Sequence, residues 1–214
     1  MKKIKAVIFD FDGVIVESVD IKTEAFAEIY KRYGAEVVSK VVQHHLTNGG
    51  ISRYEKFKYY HRKFLNKEIS EKEINNLLVK FSQLVFQKVV GASYIKGAYE
   101  FISQYYTIYD FYISSGTPAE EICKIIKERG LEIFFKKIYG SPDTKIQHVQ
   151  KILSDNRYCS KEVVFIGDAN SDRDAAKECN IHFVARIYKE SQLAEEPIKI
   201  TDLDSLQQVI EQLK

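Results

Sequence analysis

Ile4-Lys5-Ala6-Val7-Ile8-Phe9 is a short run of mostly β-branched and aromatic residues that stops at Asp10, and Val163-Val164-Phe165-Ile166 is a second that stops at Gly167-Asp168. An apolar block of this length, without alternation, marks a strand buried on both faces, as in a parallel sheet. Similar runs recur at Ile108 to Ile113, Ile133 to Tyr139 and Ile181 to Val184. Helical spacings lie between the later ones: Ile122, Ile125 and Ile126 after Pro118, then Ile146, Val149, Ile152 and Leu153 after Thr144, then Ser171 to Cys179. Strand alternating with helix predicts an α/β fold, a Rossmann-like parallel sheet covered by helices. Thr117-Pro118-Ala119-Glu120 reads as a capping box with Pro at the first helical position, and Gly130 stands where a C-terminal cap is wanted. The tail from Ile200 to Lys214, with Leu203, Leu206, Val209, Ile210 and Leu213 at helical spacing, predicts a last helix.

The stretch from Val16 to Val89 has no strand-like block and shows helical spacing throughout, as in Phe26, Ile29, Tyr30 and Tyr33 and again in Ile74, Leu77, Leu78 and Phe81. An all-helical insert is the simplest account. It divides the chain into a discontinuous core, residues 1–15 and 90–214, and an inserted helical domain, residues 16–89.

Composition narrows the class of function. With 45% hydrophobic and 29% charged residues the chain is an ordinary globular one. Thirty-two basic and thirty acidic side chains leave a formal charge of +2, too little to make nucleic acid or an anionic membrane the default partner. No window approaches 18 uncharged apolar residues, and MKKIKAVIFD lacks the layout of a signal peptide, so a cytoplasmic location is expected. Cys123, Cys159 and Cys179 are odd in number and contain no CxxC pair, which argues against a disulfide framework or a zinc site. His44, His45 and His61 share no single-face spacing and are not taken as a metal set. Oligomeric state is not legible.

Asp10 and Asp12 follow the first strand directly, at the carboxyl edge where open parallel sheets place ligands. Alone, two carboxylates beside Gly13 could be a surface turn. Asp168 and Asp172 follow another strand in the same way, the second at the start of a helix that it could simply cap. Capping leaves three other acids unexplained, and gathering them without a counter-ion is costly. A hard divalent cation with oxygen ligands removes the difficulty. Ile113-Ser114-Ser115-Gly116-Thr117 ends a third strand in hydroxyls and turn N–H groups, and Lys145 begins a helix, where a cation is disfavoured unless something negative is near.

Taken in this order, DFDGV, a Ser ending the second core strand, a Lys at a helix start and GDxxxD resemble the haloacid dehalogenase superfamily of hydrolases, over essentially the whole chain. The insert resembles the family's helical cap, and the branch resembled is that of phosphatases and β-phosphoglucomutases. The resemblance implies Asp10 as nucleophile, Asp12 as general acid and base, Lys145 as phosphate-orienting cation, and Mg2+ held by Asp10, Asp12 (through its backbone carbonyl), Asp168 and Asp172. It implies a phosphate-binding hydroxyl at Ser114 or Ser115 with turn N–H groups around Gly116; counting back from Pro118 favours Ser115, and aligning on the apolar strand favours Ser114. An acid at Asp12 argues for phosphate esters rather than carbon–halogen bonds or phosphonates.

Within the insert, Gly49-Gly50-Ile51-Ser52-Arg53-Tyr54-Glu55-Lys56 resembles the family's substrate loop, which implies that Arg53 and Lys56 meet a remote group such as a carboxylate or second phosphate; a solvated basic helix start is the other reading. The expected activity is Mg2+-dependent hydrolysis of a small phosphomonoester, such as a sugar phosphate. Its rivals are a phosphosugar mutase, in which Asp12 returns the phosphoryl group to the sugar, and a non-catalytic binding protein on the same fold.

Overall fold

The strand that stops at Asp10 is β1, Ala6–Phe9, fully buried at the centre of the sheet. The structure is a computed structural model, and it describes residues 3–188 and 191–213. Parallel to β1 run β2 (Asp110–Pro118) on one side and β4 (Val163–Gly167) on the other. Outside them lie β3 (Lys137–Ser141) beyond β2, then β5 (His182–Arg186) and β6 (Lys199–Ile200) beyond β4, giving the order β3-β2-β1-β4-β5-β6. Phe9 is level with both Ile113 and Ile166. The next residues, Asp10, Ser114 and Gly167, therefore lie level at the carboxyl edge of the three central strands, and strand order reverses between β1 and β4, where an open parallel sheet has its crevice.

Alternation along the strands feeds two layers. Val7, Phe9, Phe111, Ile113, Val164 and Ile166 pack on the side covered by α5 (Ala98–Tyr105), α6 (Ala119–Glu128) and α9 (Leu206–Gln212). Ala6, Ile8, Tyr112, Val163 and Phe165 pack on the side covered by α7 (Lys145–Asn156) and α8 (Asn170–Glu178). Between β1 and α5 the chain forms α1 (Val19–Tyr30), α2 (Ala35–Thr47), α3 (Arg53–Phe64) and α4 (Glu71–Val90). Phe26, Tyr30, Phe57, Tyr60 and Phe81 meet at their centre, Phe26 and Phe81 with ring centroids 4.5 Å apart. Each such buried ring is worth roughly 1.5 to 3 kcal/mol, and these rings are continuous with the apolar layer on the first face of the sheet. Its two crossing segments are tied together: Ile95 N donates to Ile15 O at 2.9 Å and Glu17 N to Ser93 O at 2.9 Å.

Four local expectations are corrected. Thr117 does not cap α6, because β2 runs on until Pro118 pairs with Ser141, making Pro118 the residue before the helix. Ile108 lies outside β2 and is exposed. Glu132–Phe134 form a single 3-10 turn that leaves Ile133 exposed, and β3 begins only at Lys137, since an apolar run does not itself mark where a strand starts. Ile200 ends β6, and the last helix starts at Leu206. Gly130 does follow α6 with φ +69°, as a C-terminal cap should. Cys123 and Cys179 are free thiols, and no described helix is long and apolar enough to cross a membrane.

Candidate active site

Asp10, Lys145, Asp168 and Asp172 converge above the ends of β1 and β4. Phe11 N donates to Asp10 Oδ1 at 2.6 Å, and Lys145 Nζ donates to Asp10 Oδ2 at 2.7 Å and to Asp172. The other oxygen of Asp172 accepts from Ala169 N at 3.1 Å, so this residue both braces the start of α8 and fixes the lysine. One carboxylate oxygen each of Asp10, Asp168 and Asp172 falls within 4.8 Å of the others. Gly13, at φ +75°, makes room for them: a Cβ there would sit 2.1 Å from Asp168 Oδ2.

The electrostatics of this cluster call for a cation. Asp10 is 3% exposed and Asp172 fully buried. Burial pushes the Asp168 carboxyl well above its ordinary range, and Asp10 and Asp172 push it further. Burial also raises Asp10 against the opposing charge of Lys145. Lys145 is lowered by burial but raised more by Asp10 and Asp172, so it stays charged. Three carboxylates against one ammonium leave two formal negative charges. All-oxygen donors around that charge fit a hard divalent ion such as Mg2+.

Asp12 faces the same cleft but not that cluster. Ser18 Oγ donates to its Oδ1 at 2.6 Å, and Lys22 of α1 donates to its Oδ2. Burial raises this carboxyl, but Lys22 and the two hydrogen bonds outweigh burial and leave it below the ordinary range. Lys22 also donates to Thr117 Oγ1 at 2.8 Å, so the Thr117 hydroxyl, expected as a cap, is drawn into the site. Lys22 was not singled out from the sequence. Like Lys145, Lys22 is a cation in the first turns of a helix, where nearby negative charge is needed to favour it.

Helices α2 and α3 and the segment between them cover these groups. Ser171 Oγ donates to Gly49 O at 3.0 Å, and Gly116 lies so close to the same segment that a Cβ would be 2.5 Å from Gly50 O. The result is a cleft of about 670 Å³ lined by residues of both parts, among them Asp10, Asp12, Asp168 and Gly116. Ser114 and Ser115 are fully buried and not part of that lining. Ser114 Oγ is 2.8 Å from His148 Nδ1, on the α7 side of the sheet, whereas Ser115 Oγ only accepts, from Thr117 N at 3.1 Å.

The two insert cations are buried, so the reading of a solvated basic helix start is corrected. Arg53 lines the cleft, but its terminal nitrogens are taken by Glu121 of α6 and Ser82 of α4. Lys56 is 2% exposed, lies outside the lining, and sits 2.8 Å from His45 Nδ1. Burial, with Lys22 and Lys145 nearby, brings its ammonium down to about 7. His45 is likewise held neutral by burial and by the Lys56 charge.

Solved structures share this architecture. A β-phosphoglucomutase from Clostridium difficile superimposes with a TM-score of 0.78 at 18% identity, covering 97% of each chain. A predicted phosphoglycolate phosphatase from Haemophilus somnus gives 0.75 at 16% identity, over 98% of this chain and 99% of that one. A Bacillus subtilis protein described as a haloacid dehalogenase-type hydrolase, solved bound to magnesium, gives 0.72 at 16% identity, over 98% of this chain and 100% of that one. No curated protein is significantly similar in sequence. At these identities the structures establish the fold, and family membership comes from the sequence profile that matches residues 7–186. The chain belongs to the haloacid dehalogenase-like hydrolases.

Proposed function

We propose that the protein is a Mg2+-dependent hydrolase of small phosphomonoesters that works through an aspartyl-phosphate on Asp10. The observation that carries this reading is the pairing of two differently held carboxylates two residues apart: Asp10 oriented by Phe11 N and Lys145, Asp12 oriented by Ser18 and Lys22. In the first step, entered with Asp12 protonated, an Asp10 oxygen forms a bond to phosphorus, the ester P–O bond breaks, and Asp12 gives that proton to the leaving alkoxide. In the second, Asp12 takes a proton from water, the oxygen bonds to phosphorus, and phosphate leaves with Asp10 restored. Lys145 keeps Asp10 aimed and supplies positive charge beside the phosphoryl group. Mg2+ held by Asp10 and Asp168, with Asp172 in support, would neutralise the carboxylates and the phosphoryl oxygens. Of the two serines, Ser115 is the better phosphate donor, because Ser114 is committed to His148.

In this reading residues 16–89 are a cap that excludes water from the acyl-phosphate, over a catalytic core of residues 1–15 and 90–214. Mutase chemistry requires the phosphoryl group to return to a sugar. Incubation with a hexose 1-phosphate decides between the two: the proposal expects inorganic phosphate, and accumulation of the 6-phosphate contradicts it.

Lys22 sets the pH at which Asp12 loses its proton. Replacing it, as in Lys22→Met, removes the charge that lowers this carboxyl. The limb of the pH–rate profile governed by Asp12 should then move to higher pH. An unmoved profile would mean that Lys22 does not act through Asp12.

A further inference from the structure

Each cation lining the cleft, among the described residues, already has a carboxylate of its own. Lys22 is held by Asp12, Arg186 donates to Glu17 at 3.1 Å, and Arg53 donates to both oxygens of Glu121 at 3.0 and 2.6 Å. The third pair is built differently from the others. It joins α3 of the insert to the first turn of α6 in the core and is buried on both sides, with side-chain exposures of 10% and 11%. Ser82 closes the triangle, accepting from Arg53 at 2.9 Å and donating to Glu121 at 2.6 Å. A two-pronged guanidinium–carboxylate contact satisfies the charge of both partners. A second anionic group on a ligand would have to displace Glu121 or lie against it, and like charges brought together are strongly disfavoured.

The unused hydrogen-bonding groups in the walls point to what fits instead. Arg53 Nε is a buried donor without a partner, and Asn170 Oδ1, also on a lining residue, is a buried acceptor without one. Such groups are costly until paired, and hydroxyls can serve both. Phe26, Ile51 and Phe81 add apolar wall.

We propose that Glu121 is a built-in counter-anion that keeps this part of the cleft neutral, so that the enzyme selects phosphomonoesters whose remaining part is uncharged and hydroxyl-bearing, and excludes bisphosphates and phosphorylated carboxylic acids. Glu121 acts through Arg53 as a positioning residue. The proposal rests on the phosphatase reading for the orientation of the ligand, with its phosphate at Asp10.

Binding tests it directly, with turnover blocked by Asp10→Asn and Mg2+ present. Titration calorimetry compares glycerol 3-phosphate with 3-phosphoglycerate, and glucose 1-phosphate with glucose 1,6-bisphosphate. The uncharged-tail member of each pair should bind at least 10-fold tighter. Adding Glu121→Gln, which frees Arg53, should shift both ratios at least 10-fold toward the doubly anionic member. Glu121→Asp, which keeps the charge, should restore the original order, and Arg53→Met added to Glu121→Gln should cancel the shift. Preference for the doubly anionic member in the Asp10→Asn protein, ratios unmoved by Glu121→Gln, or no binding of the uncharged-tail members would each overturn the proposal. Failure of the unaltered protein to hydrolyse p-nitrophenyl phosphate with Mg2+ would instead count against the phosphatase reading, so the two failures are distinguishable.

Discussion

Asp10→Asn should reduce phosphate release by at least about 100-fold, the least expected for loss of a nucleophile, while the protein stays folded. The amide is nearly the same shape, and its oxygen can still accept from Lys145 Nζ, the contact that Asp10 makes at 2.7 Å. What it lacks is the carboxylate that forms the acyl-phosphate. Steady-state assays on an aryl phosphate, with circular dichroism and a melting curve as controls, measure the effect. Retention of more than about a hundredth of the activity in a folded Asp10→Asn protein would remove Asp10 from its assigned role.

Removal of divalent ions should abolish activity, and Mg2+ should restore it. Two uncompensated negative charges among buried carboxylates make this the second large effect. The individual acids should differ. Asp172 already accepts from Lys145 and from Ala169 N, one bond on each oxygen, so in the proposed site its contribution to the ion would be indirect. Asp172→Ala should weaken Mg2+ by roughly 10- to 100-fold, the usual cost of losing an outer partner, and Asp168→Ala should weaken it more. The rise in melting temperature with added Mg2+ gives the affinities without reference to turnover. Full activity after exhaustive chelation, or equal affinities in the two variants, would contradict this arrangement.

The acids and Lys145 were legible in the sequence because each stands at a punctuation mark. Asp10 and Asp168 come directly after buried strands, and Lys145 and Asp172 lie in the first turns of helices. Parallel register does the rest, bringing Phe9 level with Ile166 and so the residues beyond them to one place. Arg53 was found but not its partner: Glu121 lies 68 residues away on another helix, and no local periodicity encodes such a pairing. The proposed preference for Ser115 over Ser114 turns on His148, 34 residues from Ser114 in sequence. Thr117 was misread because its fit to a capping box is a local pattern, and pairing of Pro118 with Ser141 in the sheet overrode it.

The central claim is a covalent phosphoryl group on Asp10. Reaction with substrate and Mg2+ is stopped within the first turnovers and the protein reduced with borohydride, which converts an aspartyl-phosphate to homoserine. Peptide mass spectrometry should then find homoserine at position 10, with Asp12, Asp168 and Asp172 unchanged. Homoserine at another aspartate, or none anywhere while a burst of leaving group is released, would contradict the account.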